Sequence, residues 1–181
     1  MAPDVPSTHP RIQGVLFDFD GTLTLPGSID FAAIKTEIRC PEGVPILEYL
    51  ETVPFDRRMD LLRILEQREA EAARASLPNE GAERCILALR GEGIPCAVLT
   101  RNSLQSVCLA LERFHGIGPG DFAAIITRAD SLPKPHPDGV FQAARRMGIA
   151  VSELMVVGDF RFDILAGKAA HAFTVLLQNR P

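Results

Sequence analysis

Short runs of consecutive apolar residues alternate along the chain with longer stretches in which apolar side chains recur every three or four positions. Five runs stand out, at 14–17, 96–99, 122–126, 154–157 and 173–177. Each is too short for a typical helix and rich in Val, Ile, Leu and Phe, the composition of strands buried on both faces of a parallel sheet. Between them, Ala82, Cys85, Ile86 and Leu89 follow helical spacing, with Asn79 as the expected N-cap and Gly91 as the stop. Leu104, Val107, Cys108 and Leu111 repeat that spacing behind Ser103. Asp138 opens a further helix bearing Val140, Phe141, Ala144 and Met147, which Gly148 ends. Strand alternating with helix predicts an α/β fold built on a doubly wound parallel sheet.

One region breaks the alternation. From 25 to 78 there is no strand pattern, only helical stretches punctuated by prolines, at 29–39, 45–53 and 55–76. The expected organisation is therefore a loose N-terminal tail over 1–11, a core formed by 12–24 and 79–181, and a small α-helical cap at 25–78, inserted after the first strand.

Composition narrows the class. The 181 residues are 46% hydrophobic and 23% charged, inside the globular range. A net charge of −4 argues against nucleic acid or an anionic membrane as the main partner. No stretch approaches the length of a membrane span, and the first ten residues lack the basic and apolar regions of a signal peptide. Cys40, Cys85, Cys96 and Cys108 show no metal-ligand spacing and read as reduced, buried thiols of a cytoplasmic protein.

The chemistry sits where apolar runs end. The first ends in Asp18-Phe19-Asp20-Gly21-Thr22-Leu23-Thr24. Turn propensity explains Gly21 but not two carboxylates at the end of a buried strand, which need a metal, a partner or a purpose. The second ends in Thr100-Arg101-Asn102-Ser103, a hydroxyl and an amide at a helix N-terminus suited to an anion, although Thr and Ser are equally ordinary caps. Lys134 lies between prolines, one of three lysines against sixteen arginines. A loop lysine is ordinarily solvated, but this ammonium could neutralise a phosphoryl group. The fourth run ends in Gly158-Asp159-Phe160-Arg161-Phe162-Asp163. In a parallel sheet these ends share one edge, the edge where α/β proteins bind ligands. Hard carboxylate oxygens beside a phosphate favour Mg²⁺.

The order DxDGT, a strand-end Thr, Lys and GDxxxD resembles the four motifs of the haloacid dehalogenase (HAD) superfamily, over 12–175. The helical insertion resembles that superfamily's C1-type cap, as in its phosphoglycolate-phosphatase-like members. The resemblance implies a Mg²⁺-dependent phosphatase acting on a small phosphorylated metabolite. Asp18 would be the nucleophile, Asp20 the general acid and base, and Thr100 and Lys134 the holders of the phosphoryl oxygens. Gly21, Thr22, Arg101 and Asn102 would complete the phosphate site. Mg²⁺ would be held by Asp18, by Asp159 and by the carbonyl of Asp20, with Asp163 as a further or outer ligand. Many relatives continue through another strand and helix beyond the fifth run, so the resemblance leaves the edge of the sheet undetermined.

Rival readings differ in particular residues. A dehalogenase typically lacks the second Asp of DxD. A phosphonate hydrolase uses a cap lysine, and Lys35 lies closer to the nucleophile than that pattern has it. A receiver domain accepts phosphate at its third strand and has no helical insertion. A phosphomutase, or a non-catalytic phosphoryl-binding relative, shares the motifs. His9, His115, His136 and His171 read as structural or surface residues, and Arg57, Arg58 and Arg63 as a solvated face. Nothing in the motifs names the substrate or sets the oligomeric state.

Overall fold

A computed structural model describes residues 11–179, so residues 1–10 of the tail expected over 1–11, with His9, lie outside the described residues. Five parallel strands form one sheet: β1 (Gly14–Phe17), β2 (Cys96–Leu99), β3 (Ala124–Ile126), β4 (Leu154–Gly158) and β5 (Phe173–Leu176), in the order β3-β2-β1-β4-β5. The chain runs outward from β1 through β2 to β3, then returns to the other side of β1 for β4 and β5. The reversal opens a crevice at the carboxyl ends of β1 and β4.

Side chains alternate across the sheet with the two-residue period of a strand. Val15, Phe17 and Val98 pack on one face beneath α4 (Ala82–Gly91) and α5 (Leu104–Leu111). Leu16, Ala97 and Leu99 pack on the other beneath α6 (Asp138–Met147) and α7 (Arg161–Ala169). Leu16 is fully buried in the central strand. Leu16→Ala should therefore cost about 2–5 kcal/mol, the usual range for a core leucine truncated where neighbours cannot collapse. A urea titration gives the value, and a loss below 1 kcal/mol would show that this layer repacks freely.

Three expectations need correction. β3 begins two residues after Phe122, which is buried in the preceding loop instead. β5 is not buried on both faces, because it is the outer strand of the described sheet and leaves Phe173, Val175 and Leu176 exposed. Cys85 is exposed on α4, although Cys40 and Cys96 are buried. All four cysteines are free thiols.

Between β1 and α4 lie α1 (Phe31–Ile38), α2 (Ile46–Glu51) and the long α3 (Phe55–Ala75). Asp30 caps α1 by accepting the Ala33 N–H at 2.9 Å, and Arg39 ends it in a left-handed conformation. These helices have an apolar centre of their own, formed by Ile34, Ile38, Ile46, Leu50, Leu61 and Leu65. Farther along α3, Ala73 joins the cluster under the sheet. The two ends of the insertion run side by side: Thr24 bridges Pro78, the Leu25 N–H donates to Leu77, and the Asn79 N–H donates to Leu23. No helix among the described residues is long and apolar enough to cross a membrane.

Candidate active site

The turn after β1 exposes two carboxylates and buries what lies between them. Phe19 points into the core while its carbonyl accepts the N–H groups of Thr22, Leu23 and Thr24, which curls the chain and leaves Asp18 and Asp20 facing the crevice. Gly21 holds a φ of 78°, and a Cβ there would run into the Asp159 carboxylate, so the turn requires glycine. The Asn79 amide donates to the carbonyls of Gly21 and Thr22 at 3.2 and 3.1 Å, and Asn179 donates to Gly21 at 2.8 Å. Asn79 is thus a clamp on this turn and not the N-cap of α4, whose cap is Gly81. Thr22 donates its hydroxyl to Asp18 at 3.3 Å.

Lys134 is buried, with its ammonium 2.5 Å from Asp18 Oδ1 and 2.6 Å from Asp163 Oδ1. The other Asp163 oxygen accepts the Phe160 N–H at 3.0 Å, which caps the first turn of α7. A side chain on Gly158 would collide with that carboxylate, which accounts for the glycine. Burial opposes the charge on Lys134, but Asp18 and Asp163 outweigh it and hold its pKa above the ordinary value.

The carboxylates are pushed the other way. Burial raises Asp18 to about 6 even though Lys134 pulls against it. Burial, with the charges of Asp18 and Glu69, raises Asp20 to about 7. Asp159 is raised by burial and by Asp163. Acids crowded in this way are relieved by a divalent cation. Asp18, Asp159 and Asp163 each offer an oxygen, all within 4.8 Å of one another, so the donor set fits a hard metal ion.

Beyond β2, Thr100 is buried and its hydroxyl accepts the Asn102 N–H at 3.1 Å. The Asn102 amide donates to Asp20 Oδ2 at 2.7 Å, which fixes that carboxyl in the crevice. Arg101, also at the crevice, is engaged by protein groups. Its guanidinium pairs with both oxygens of Glu48 on α2, at 3.0 and 2.5 Å, and donates to the Lys134 carbonyl. Ser103 caps α5, as its position predicts, by accepting the Ser106 N–H.

Several participants carry no motif. Glu69 of α3 is buried against Arg128, at 2.7 Å, and accepts the Ser103 N–H at 3.3 Å. The signal for Glu69 is its place in the buried stripe Leu61, Leu65, Glu69, Ala73, where a carboxylate is out of character. Asn79 and Asn179 give no comparable sign. The remaining sequence readings hold a plain place: His136 is exposed and its ring accepts the Asp138 N–H, Arg63 pairs with Asp60 in solvent, and Arg58 holds Glu51.

The motif residues form the floor of a cavity of about 530 Å³, roofed by the insertion. Asp18, Asp20, Gly21, Thr100, Asp159 and Asp163 reach it, as do Arg101, Asn102 and Lys134. Thr22 does not line it and touches the crevice only through its hydroxyl's donation to Asp18.

Residues 12–171 match the family model described as haloacid dehalogenase-like hydrolase. The uncharacterized hydrolase YOR131C of Saccharomyces cerevisiae is 32% identical over 171 residues, covering 93% of this chain and 78% of that protein. A phosphoglycolate phosphatase of Pectobacterium atrosepticum is 28% identical, over 88% of this chain and 77% of its own length. Among solved structures, a hydrolase from Pseudomonas syringae superposes with a TM-score of 0.76 at 22% identity, covering 91% of this chain and 84% of that one. The chain belongs to the haloacid dehalogenase-like hydrolases.

Proposed function

We propose that this haloacid dehalogenase-like hydrolase is a Mg²⁺-dependent phosphatase, which cleaves a phosphorylated metabolite through a phosphorylated Asp18. The observation that carries this reading is the buried contact of Lys134 with Asp18, in one crevice with Asp20 and Asp159. Mg²⁺ would be held by Asp18, Asp159 and the Asp20 carbonyl, and would neutralise charge on the phosphoryl group during transfer. Asp163, committed to Lys134 and to the α7 turn, serves mainly to position that lysine.

The residues then divide the work. An Asp18 oxygen attacks phosphorus, the ester oxygen leaves with the proton of Asp20, and the phosphoryl group rests on Asp18. Asp20, now ionised, takes a proton from water as that water's oxygen attacks the phosphorus, which frees phosphate and restores both acids. The Asn102 amide keeps Asp20 aimed throughout. Lys134 and Thr100 bind phosphoryl oxygens in a site whose low polarisability strengthens each contact. The insertion at 25–78 acts as the cap that shields this exchange from bulk water and meets the rest of the substrate.

Phosphate release from an aryl phosphate tests the reading. Release should require Mg²⁺ and fall to background with excess chelator, returning when Mg²⁺ is restored. Full activity in stripped, folded protein would refute the metal requirement, and no release with any divalent cation would refute the phosphatase.

Arg101 gives a finer test. It joins cap to floor through Glu48 and the Lys134 carbonyl, and the pair is partly exposed, so its loss should cost under about 1 kcal/mol of stability. Glu48→Gln and Arg101→Gln should each lower kcat/KM, and the double variant should fall no further, a coupling of about 0.5–3 kcal/mol. Strictly additive losses would mean that the two act separately.

A further inference from the structure

The cavity has a charged floor and an apolar roof. Leu25, Phe31 and Phe160 are large apolar side chains left exposed by the fold, and all three stand at this one cavity. Ile29, Ile46 and Leu47 continue the wall. A contiguous exposed apolar surface running into a polar centre is characteristic of a ligand site. A small, fully charged phosphorylated acid has no apolar surface to set against this wall.

Charge refines the picture. Four cationic side chains line the cavity, and two are engaged: Lys134 by Asp18 and Asp163, Arg101 by Glu48. Arg161 lies 5.7 and 5.2 Å from the rings of Phe160 and Phe162, and so forms part of the wall. Lys35 is half-buried on α1, and its ammonium makes no hydrogen bond or ion pair among the described residues. Its ammonium is carried by the insertion and not by the motif loops. An ammonium set among apolar side chains gains most when an anion arrives with the ligand.

We propose that the substrate is a phosphate monoester with a bulky, mostly apolar body that carries a second anionic group, the body lying along the Phe31–Ile46–Phe160 wall and the second anion meeting Lys35. This rests on the phosphatase reading for the phosphoryl end. Lys35 is then a specificity residue, which touches the substrate but not the reacting atoms.

Three esters test it: 4-(2-carboxyethyl)phenyl phosphate, 4-ethylphenyl phosphate and the phosphate ester of glycolate. Binding is measured by calorimetry with Mg²⁺ on the full-length Asp18→Asn variant, and kcat/KM on the unmodified chain. The carboxylated aryl ester should bind about tenfold or more tighter than either of the others, and Lys35→Ala should remove its advantage over the ethylphenyl ester. Equal or tighter binding of the glycolate ester would overturn the proposal. So would a Lys35→Ala effect of the same factor on both aryl esters, or the absence of binding by all three. If the binding order holds but no ester is hydrolysed, the ligand preference of the site stands and the phosphatase reading falls.

Discussion

Asp18→Asn should abolish turnover while leaving the fold intact. The amide keeps the shape and the Thr22 contact but offers phosphorus no anionic oxygen, so no phosphorylated enzyme forms. A loss on the order of 10⁴-fold or more is expected, the scale seen when the nucleophile of a covalent mechanism is removed. Burial opposes the Asp18 charge more than Lys134 favours it, and Lys134 keeps its pair with Asp163, so urea unfolding should show a stability close to that of the parent chain. Substantial phosphatase activity in folded Asp18→Asn would require another nucleophile, and the assignment of Asp18 would fall.

Lys134→Met should fail in two ways at once. Catalytically it removes the cation against the phosphoryl oxygens, a loss of about 10²–10³ in kcat by comparison with other charge-stabilising groups. Structurally it leaves Asp18 and Asp163 facing each other with the ammonium gone, and breaking a buried pair from one side costs about 3–5 kcal/mol. The two effects separate in the double variant. Adding Asp163→Asn removes one orphaned charge, so the unfolding midpoint should recover while turnover stays lost. If stability and activity return together, Lys134 is only a strut. If neither the single nor the double variant is destabilised, the buried pairing is not what holds the crevice.

The sheet was legible because four of its five strands are unbroken apolar runs, with Thr174 the one polar residue inside β5, and because the runs are followed by polar residues, Asp18, Thr100 and Asp159. The helices of the insertion were legible from the prolines that punctuate them. Side-chain partnerships were not. Local spacing made Asn79 a helix cap, yet its amide is spent on the carbonyls of a turn 57 and 58 residues away. Arg101 sits in the right loop for phosphate, but a carboxylate on α2 claims it, and pairing across 53 residues leaves no periodic trace. The same holds for Glu69 and Arg128, separated by 59 residues. β5 reads as an interior strand because Phe173, Val175 and Leu176 are apolar, and only the strand order reveals it as an edge.

The bridge between Thr24 and Pro78 bears on how such a protein can change over time. Because the two stems of the insertion are held side by side by the core, the entropy of closing that loop is set by the stems and grows only logarithmically with the chain between them. Each doubling in length adds about 0.6 kcal/mol. Helices can therefore be gained, lost or exchanged between the stems at little cost to the register of β1 or the seat of Asp18. The fixed partner is Arg128, which any replacement must supply with a carboxylate in the place of Glu69. A lineage can in this way try new roofs over an unchanged floor, and divergence in substrate should gather between Leu25 and Leu77 while the strand ends stay as they are.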